Sequence, residues 1–361
     1  MKKLCILADS PGSAEFIFPV IPRLMGRFEC HIITVKDPPT RVLSAYHPIR
    51  VEDEKEAERV FEIFKPDALC IGTSSLIFGP FVAKTLVRNA TFKKLPIVCY
   101  QDYWANHRSP MNKEIMDLWH ITLVPDILAE KFLREDGYHG KIIITGHPGF
   151  EKFSTINVKE RRSAVRNDYA IPNNGFLILY AGAATPFGAE WDMITFRFFI
   201  DAISRMDERP IIIATPHPRD EDPMRYMKIA AEKNISVLNL HAHQSSDDIL
   251  PGTDAVIGMY ATTLLHACYL RIPAISILLP DAGAVRLAKI NLKDFPPNEI
   301  GASIGIYESS PERLIDVCAC LQKDSEYRNS IRNAQEKLLP WSEILPSQIA
   351  AEAIENFLID R

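Results

Sequence analysis

Ile211-Ile-Ile-Ala-Thr-Pro-His-Pro-Arg219 is a β-branched and apolar run that breaks abruptly into proline, histidine and arginine. About forty residues on, Asp254-Ala-Val-Ile-Gly-Met-Tyr-Ala-Thr-Thr-Leu-Leu-His-Ala-Cys268 repeats the pattern, an apolar run ending in small and hydroxyl-bearing residues. Short uninterrupted apolar runs of this kind are the mark of strands buried on both faces of a parallel sheet. Open α/β sheets place ligands at the carboxyl ends of such strands. The first strand delivers His217 and Arg219 to that edge; the second delivers Tyr260, Thr262 and Thr263 to the start of a helix, with Thr262 or Thr263 expected as its N-cap. Cationic side chains opposite hydroxyls and free N–H groups at a helix start make a phosphate cradle.

Outward from these stretches the same alternation covers the chain. Apolar runs at Leu4–Ala8, Cys30–Val35, Ala68–Gly72, Ile97–Gln101, Ile121–Val124 and Lys141–Thr145 read as strands. Helical patterns lie between them, the first over Ala14–Arg27 with Pro19 and Pro22 expected to kink it. A second series runs from the helix Val158–Tyr169 through strands Phe176–Ala181, Ile211–Thr215, Ser236–Leu240, Ala255–Gly258 and Ala274–Leu278. The segment Leu279–Gly301, with Asp281 and Glu299, reads as irregular. The predicted fold class is α/β, with two Rossmann-like, doubly wound domains facing a cleft. Residues 1–148 form the first domain, 149–340 the second, and 341–361 a C-terminal helix expected to pack back on the first.

With 41 Lys and Arg against 46 Asp and Glu and no basic block, the chain lacks the footprint of a nucleic-acid binder. No run approaches the eighteen or so apolar residues of a membrane span. The two lysines before Leu4–Ala8 precede too short an apolar run for a signal peptide, so a cytoplasmic protein is expected. Seven cysteines without zinc-knuckle spacing read as buried thiols. His241 and His243 lack a third ligand, and no metal is expected.

Other candidates lie where strands end. Gly182 opens Gly182-Ala-Ala-Thr-Pro-Phe-Gly188, whose small residues let a ligand approach the backbone although neither a dinucleotide fingerprint nor a P-loop is present. Asp9-Ser-Pro-Gly-Ser-Ala-Glu15 is the corresponding loop of the first domain, with Ser13 as a residue of the expected cleft and Glu15 as a candidate base. Asp102-Tyr-Trp-Ala-Asn-His-Arg108 offers Asp102 and His107 as acid or base, and Tyr103 and Trp104 as a stacking surface. His147 ends a strand at the mouth of the expected cleft, whereas Glu135 and Asp136, before Gly137, read as a solvated last helical turn.

Together, the two domains, Ile142-Ile-Ile-Thr-Gly-His-Pro148, His217-Pro218 and Thr262-Thr263 resemble the GT-B superfamily of nucleotide-sugar glycosyltransferases and UDP-N-acetylglucosamine 2-epimerases. The Gly-His-Pro segment is similar to the end of the N-terminal domain in lipid-A-disaccharide synthase and the epimerases. His217-Pro218 and Thr262-Thr263 resemble the motifs with which bacterial sialyltransferases, Kdo transferases and CDP-glycerol-type polymerases contact the donor. In many members a glutamate after the Ser/Thr motif holds the donor ribose, and His266 stands at about that place here. The epimerases' N-terminal Arg-Pro-Glu is replaced by Ser10-Pro-Gly-Ser-Ala-Glu15.

The resemblance implies a metal-independent glycosyltransferase without a cofactor, using a UDP- or CMP-type nucleotide-sugar donor in surface-polysaccharide or glycoconjugate synthesis. The second domain would bind the donor through Gly182, His217, Arg219, Tyr260, Thr262, Thr263 and His266. The first would bind a carbohydrate or glycolipid acceptor and supply the base from among Glu15, Asp102 and His107, with Ser13 and His147 beside it. The alternatives are a UDP-sugar 2-epimerase or hydrolase, and a non-catalytic nucleotide-sugar-binding protein. Peripheral membrane association through the apolar tail and a homodimer stay open.

Overall fold

The β-branched runs pair as two all-parallel sheets in a computed structural model that describes residues 1–35, 37–73, 82–183, 189–217, 220, 222–240, 244–340 and 342–359. The chain divides into two units, Met1–Lys152 with Ser342–Arg361, and Phe153–Trp341.

In the first unit the strands are β1 (Lys2–Ala8), β2 (Phe28–Val35), β3 (Ile49–Val51), β4 (Ala68–Gly72), β5 (Ile97–Tyr100), β6 (Ile121–Val124) and β7 (Lys141–Ile144), ordered β3-β2-β1-β4-β5-β6-β7. β1 lies centrally, with Leu4 opposite both Cys30 and Ala68, and everything from Leu4 to Ala8 is fully buried. Strand order reverses between β1 and β4, which opens a crevice at their carboxyl ends.

Each helix follows from its sequence. Glu54–Phe64 is capped by Asp53, whose carboxylate accepts from the Glu56 N–H at 2.8 Å, and it buries Ala57, Phe61 and Phe64 at helical spacing. The helix expected over Ala14–Arg27 is two: Pro11–Ile17 and Ile21–Leu24. Ser10 and Ser13 form a reciprocal capping box that starts the first with Pro11 in its first turn, and the chain breaks before Pro22, again a first-turn proline.

The C-terminal helix Pro346–Ile359 belongs to the first unit, burying Ala350, Ala351, Ile354 and Leu358 in its core. Burying Ile354 and Leu358 contributes roughly 1.5–3 kcal/mol each. Ser347 bonds Glu151 at 3.0 Å and accepts from Arg23 at 2.9 Å, and Arg27 pairs with Glu355.

In the second unit the strands are β8 (Leu177–Ala181), β9 (Ile211–Thr215), β10 (Val237–Asn239), β11 (Ala255–Gly258), β12 (Ala274–Ile277) and β13 (Ile304–Ile306), ordered β10-β9-β8-β11-β12-β13. The switch point falls between β8 and β11, where Ala181 lies opposite Gly258. The helix Ala189–Ser204 packs Phe196, Phe199, Ile200 and Ile203 on this sheet. Leu279–Gly301 is not irregular throughout, as it holds the helix Gly283–Ala288 and a 3-10 turn over Pro296–Ile300. Among the described residues no helix is long and apolar enough to cross a membrane, and no group of three or more His, Cys, Asp or Glu could hold a metal.

Candidate functional site

At the carboxyl edge of the second sheet, β8 delivers Gly182, β9 delivers His217, and β11 delivers Tyr260 to Thr263. Gly182 donates its N–H to Thr215 O at 3.0 Å. A Cβ there would overlap the Tyr226 hydroxyl and lie 3.0 Å from the Thr215 carbonyl, so the close approach of β8, β9 and Tyr226 requires glycine. His217 is half-buried and its carbonyl accepts from the Asp220 N–H at 2.8 Å, which turns the chain back after β9. Arg219, His241, His243 and residues 184–188 of the glycine-flanked loop lie outside the described residues.

The helix start differs from expectation in one instructive way. Its N-cap is Ala261, extended at φ −143 and ψ 148, and the helix Thr262–Tyr269 begins with no side-chain cap bond.

 Neither threonine caps the helix, because each already lies inside its first turn. Thr262 is exposed, and its hydroxyl is not committed to capping. Thr263 Oγ1 lies 3.3 Å from Ser246 Oγ, and His266 Nδ1 lies 2.6 Å from Asp247 Oδ1 with its ring 4.9 Å from that of Phe153. Tyr260 is half-buried, edge-on to Phe295 at 5.8 Å. The Leu264 N–H reaches the Ala261 carbonyl at 3.0 Å, whereas the Thr262 and Thr263 amides have no carbonyl partner within the helix, so this edge suits an anion.

Sequence reasoning missed what lies behind this edge. Asp192, fully buried, accepts from Tyr180 Oη at 2.9 Å and Tyr226 Oη at 2.6 Å, and Arg225 bridges it at 3.3 Å to Asp220 at 2.9 Å. Burial pushes the Asp192 carboxyl up to about 6, against the lowering effect of the two tyrosines and Arg225. The network fixes Tyr226 against Gly182 and joins the chain after β8 to the chain after β9. Its one sequence signal is an aspartate in the first turn of an otherwise aromatic helix face.

At the carboxyl edge of the first sheet, Ser13 is fully buried and spends its hydroxyl on the Ser10 carbonyl at 2.9 Å, so it serves the capping box. Asp102 lies beside it: a Cβ on Gly12 would overlap Asp102 Oδ2. Asp102 Oδ1 accepts from Asn106 at 2.6 Å and Thr73 at 3.2 Å. Burial raises its carboxyl to about 6, the bonds from Asn106 and Thr73 oppose the rise, and the Glu15 charge adds to it. Glu15 itself is exposed. The structure thus brings Ser13, Glu15 and Asp102 to one switch point.

His107 is held apart from them. Its Nδ1 lies 3.1 Å from Gln101 Oε1 and its Nε2 2.7 Å from Asp136 Oδ2, and burial holds its pKa below the usual range despite Asp136. Asp136 is the exposed C-cap of the helix Ile127–Glu135, a helix end as expected, but its carboxylate is also held by His107 and Arg108. Partial burial raises its carboxyl, but bonds from Arg108 and His107 outweigh that and hold it below its ordinary range. Trp104 is buried and donates to Asp126 at 2.7 Å, which removes it as an open stacking surface. His147 is buried, stacked on Phe150 at 3.7 Å and edge-on to Phe16 at 5.2 Å.

Two Rossmann-like units with these strand orders define the GT-B fold, and solved structures agree. UDP-GlcNAc 2-epimerase from Neisseria meningitidis, solved with UDP-GlcNAc, is 13% identical with a TM-score of 0.66, covering 100% of both chains. HepE from Anabaena, solved with UDP-glucose, is 12% identical with a TM-score of 0.64, again covering 100% of both. A glycosyltransferase from Rickettsia africae is 12% identical with a TM-score of 0.62, covering 100% of this chain and 99% of that one. No family model and no curated protein matches the sequence.

Proposed function

We propose that this chain is a glycosyltransferase that uses a nucleotide-activated sugar, binding the donor's diphosphate at the carboxyl edge of the second sheet. The observation that carries the reading is the uncapped start of the helix Thr262–Tyr269 at the β8/β11 switch point, beside Gly182. Its amides and the Thr262 and Thr263 hydroxyls would hold the phosphates, His217 would donate to them, and Tyr260 and His266 would contact the nucleoside. Stabilising the departing diphosphate is then the main catalytic contribution. Asp102, raised to about 6, is the base for an acceptor hydroxyl, being ionised at neutral pH yet a stronger base than an ordinary carboxylate. His107 positions its loop.

The likeness to an epimerase solved with UDP-GlcNAc supports a second reading, in which Asp102 removes a proton from the sugar itself. Incubation of the protein with UDP-GlcNAc and UDP-glucose, with and without a carbohydrate acceptor, separates the two. Acceptor-dependent release of UDP supports the transferase; an epimeric sugar formed without acceptor supports the epimerase. Neither product, across UDP- and CMP-sugars, contradicts both.

A further inference from the structure

The amino edge of the second sheet, opposite the proposed donor site, carries a cavity of about 900 Å³. Phe176, Asp254 and Pro273, the residues just before β8, β11 and β12, lie in its wall. That volume falls within the roughly 300–1,000 Å³ of small-molecule sites. Six cationic side chains line it, Arg162, Arg209, Arg271, Lys323, Arg328 and Arg332, against the two carboxylates of Asp254 and Glu208. The chain as a whole has a net charge of −5, so this concentration of positive charge runs against the composition.

The two carboxylates are already engaged. Asp254 accepts from Arg162 at 2.6 Å through one oxygen, and from Arg166 at 2.6 Å and the Leu177 N–H at 2.8 Å through the other. Glu208 pairs with Lys323 at 3.3 Å. Arg209 bonds the Ser204 carbonyl, Arg328 the Leu321 and Gln322 carbonyls, and Arg332 the Arg271 carbonyl and Asn329. Among the described residues none of these three has a carboxylate in ion-pair contact, and each uses only part of its five N–H donors. Partial desolvation, then the like charges of Arg328 and Arg162, push Arg332 below its usual range. Guanidinium groups gathered without matching carboxylates suit phosphate oxygens.

We propose that this cavity is a second ligand site, separate from the donor site, that binds a condensed phosphate such as the di- or triphosphate of a small metabolite. The test is calorimetric titration of the full chain with sodium tripolyphosphate at matched ionic strength. Binding should survive His217→Ala; it should weaken at least about tenfold in Arg328→Gln/Arg332→Gln, which loses charge-assisted bonds, and tighten in Glu208→Gln, which removes a competing carboxylate. Arg209→Gln, at an exposed position, repeats the test should the double variant fail to fold. No binding to the wild type overturns the proposal. So does binding that disappears in His217→Ala while the arginine variants keep it.

Discussion

Replacing Asp102 by asparagine tests the electrostatics of the first switch point. Both bonds to Asp102 end on Oδ1, so an asparagine oxygen can accept from Asn106 and Thr73 as before, and only the charge is removed. The carboxyl is raised from 3.8 to about 6 in the folded protein. A raised folded pKa contributes stability that is present below the unfolded value and lost as pH rises through the folded one. Two pKa units correspond to roughly 3 kcal/mol lost by the wild type between about pH 4 and pH 8. Asp102→Asn has no such loss. Urea denaturation at the two pH values should therefore show the variant gaining about 2–3 kcal/mol on the wild type at the higher pH, with turnover abolished. A variant equally or less stable at both would refute the desolvated-carboxyl argument.

Gly182→Ala forces a methyl group into Tyr226 and the Thr215 carbonyl, and should cost about 1–3 kcal/mol in urea denaturation while weakening nucleotide binding. Asp254→Ala leaves the buried Arg166 without its carboxylate, and a loss of roughly 3–5 kcal/mol is expected from the same measurement. Thr262→Ala removes no cap bond, so its melting temperature should stay within about a degree or two of the wild type, consistent with an exposed substitution, while nucleotide affinity falls.

The strands were legible because burial on both faces writes itself as an uninterrupted apolar run, as in Leu4–Ala8 and Ile211–Thr215. Short edge strands were not: Ile49–Val51 and Ile304-Gly-Ile306 are three residues long, too few to show a period. Ends of strands could be placed, and with them the candidate loops, since an apolar run must stop where the sheet does. Partnerships could not. Asp192 meets Tyr226 across more than thirty positions, and His107 meets Asp136 across nearly as many. The threonine pair misled because a hydroxyl at a helix start reads as a cap, whereas here Ala261 occupies that position.

The most direct test of the donor site is calorimetric titration of UDP, CMP, CDP, GDP and TDP into the wild type, His217→Ala and Thr262→Ala. The account predicts that one nucleotide binds the wild type and is weakened about tenfold or more by each substitution, in line with the loss of a charge-assisted phosphate contact. Undiminished binding in both variants, or no binding by any nucleotide, would contradict it.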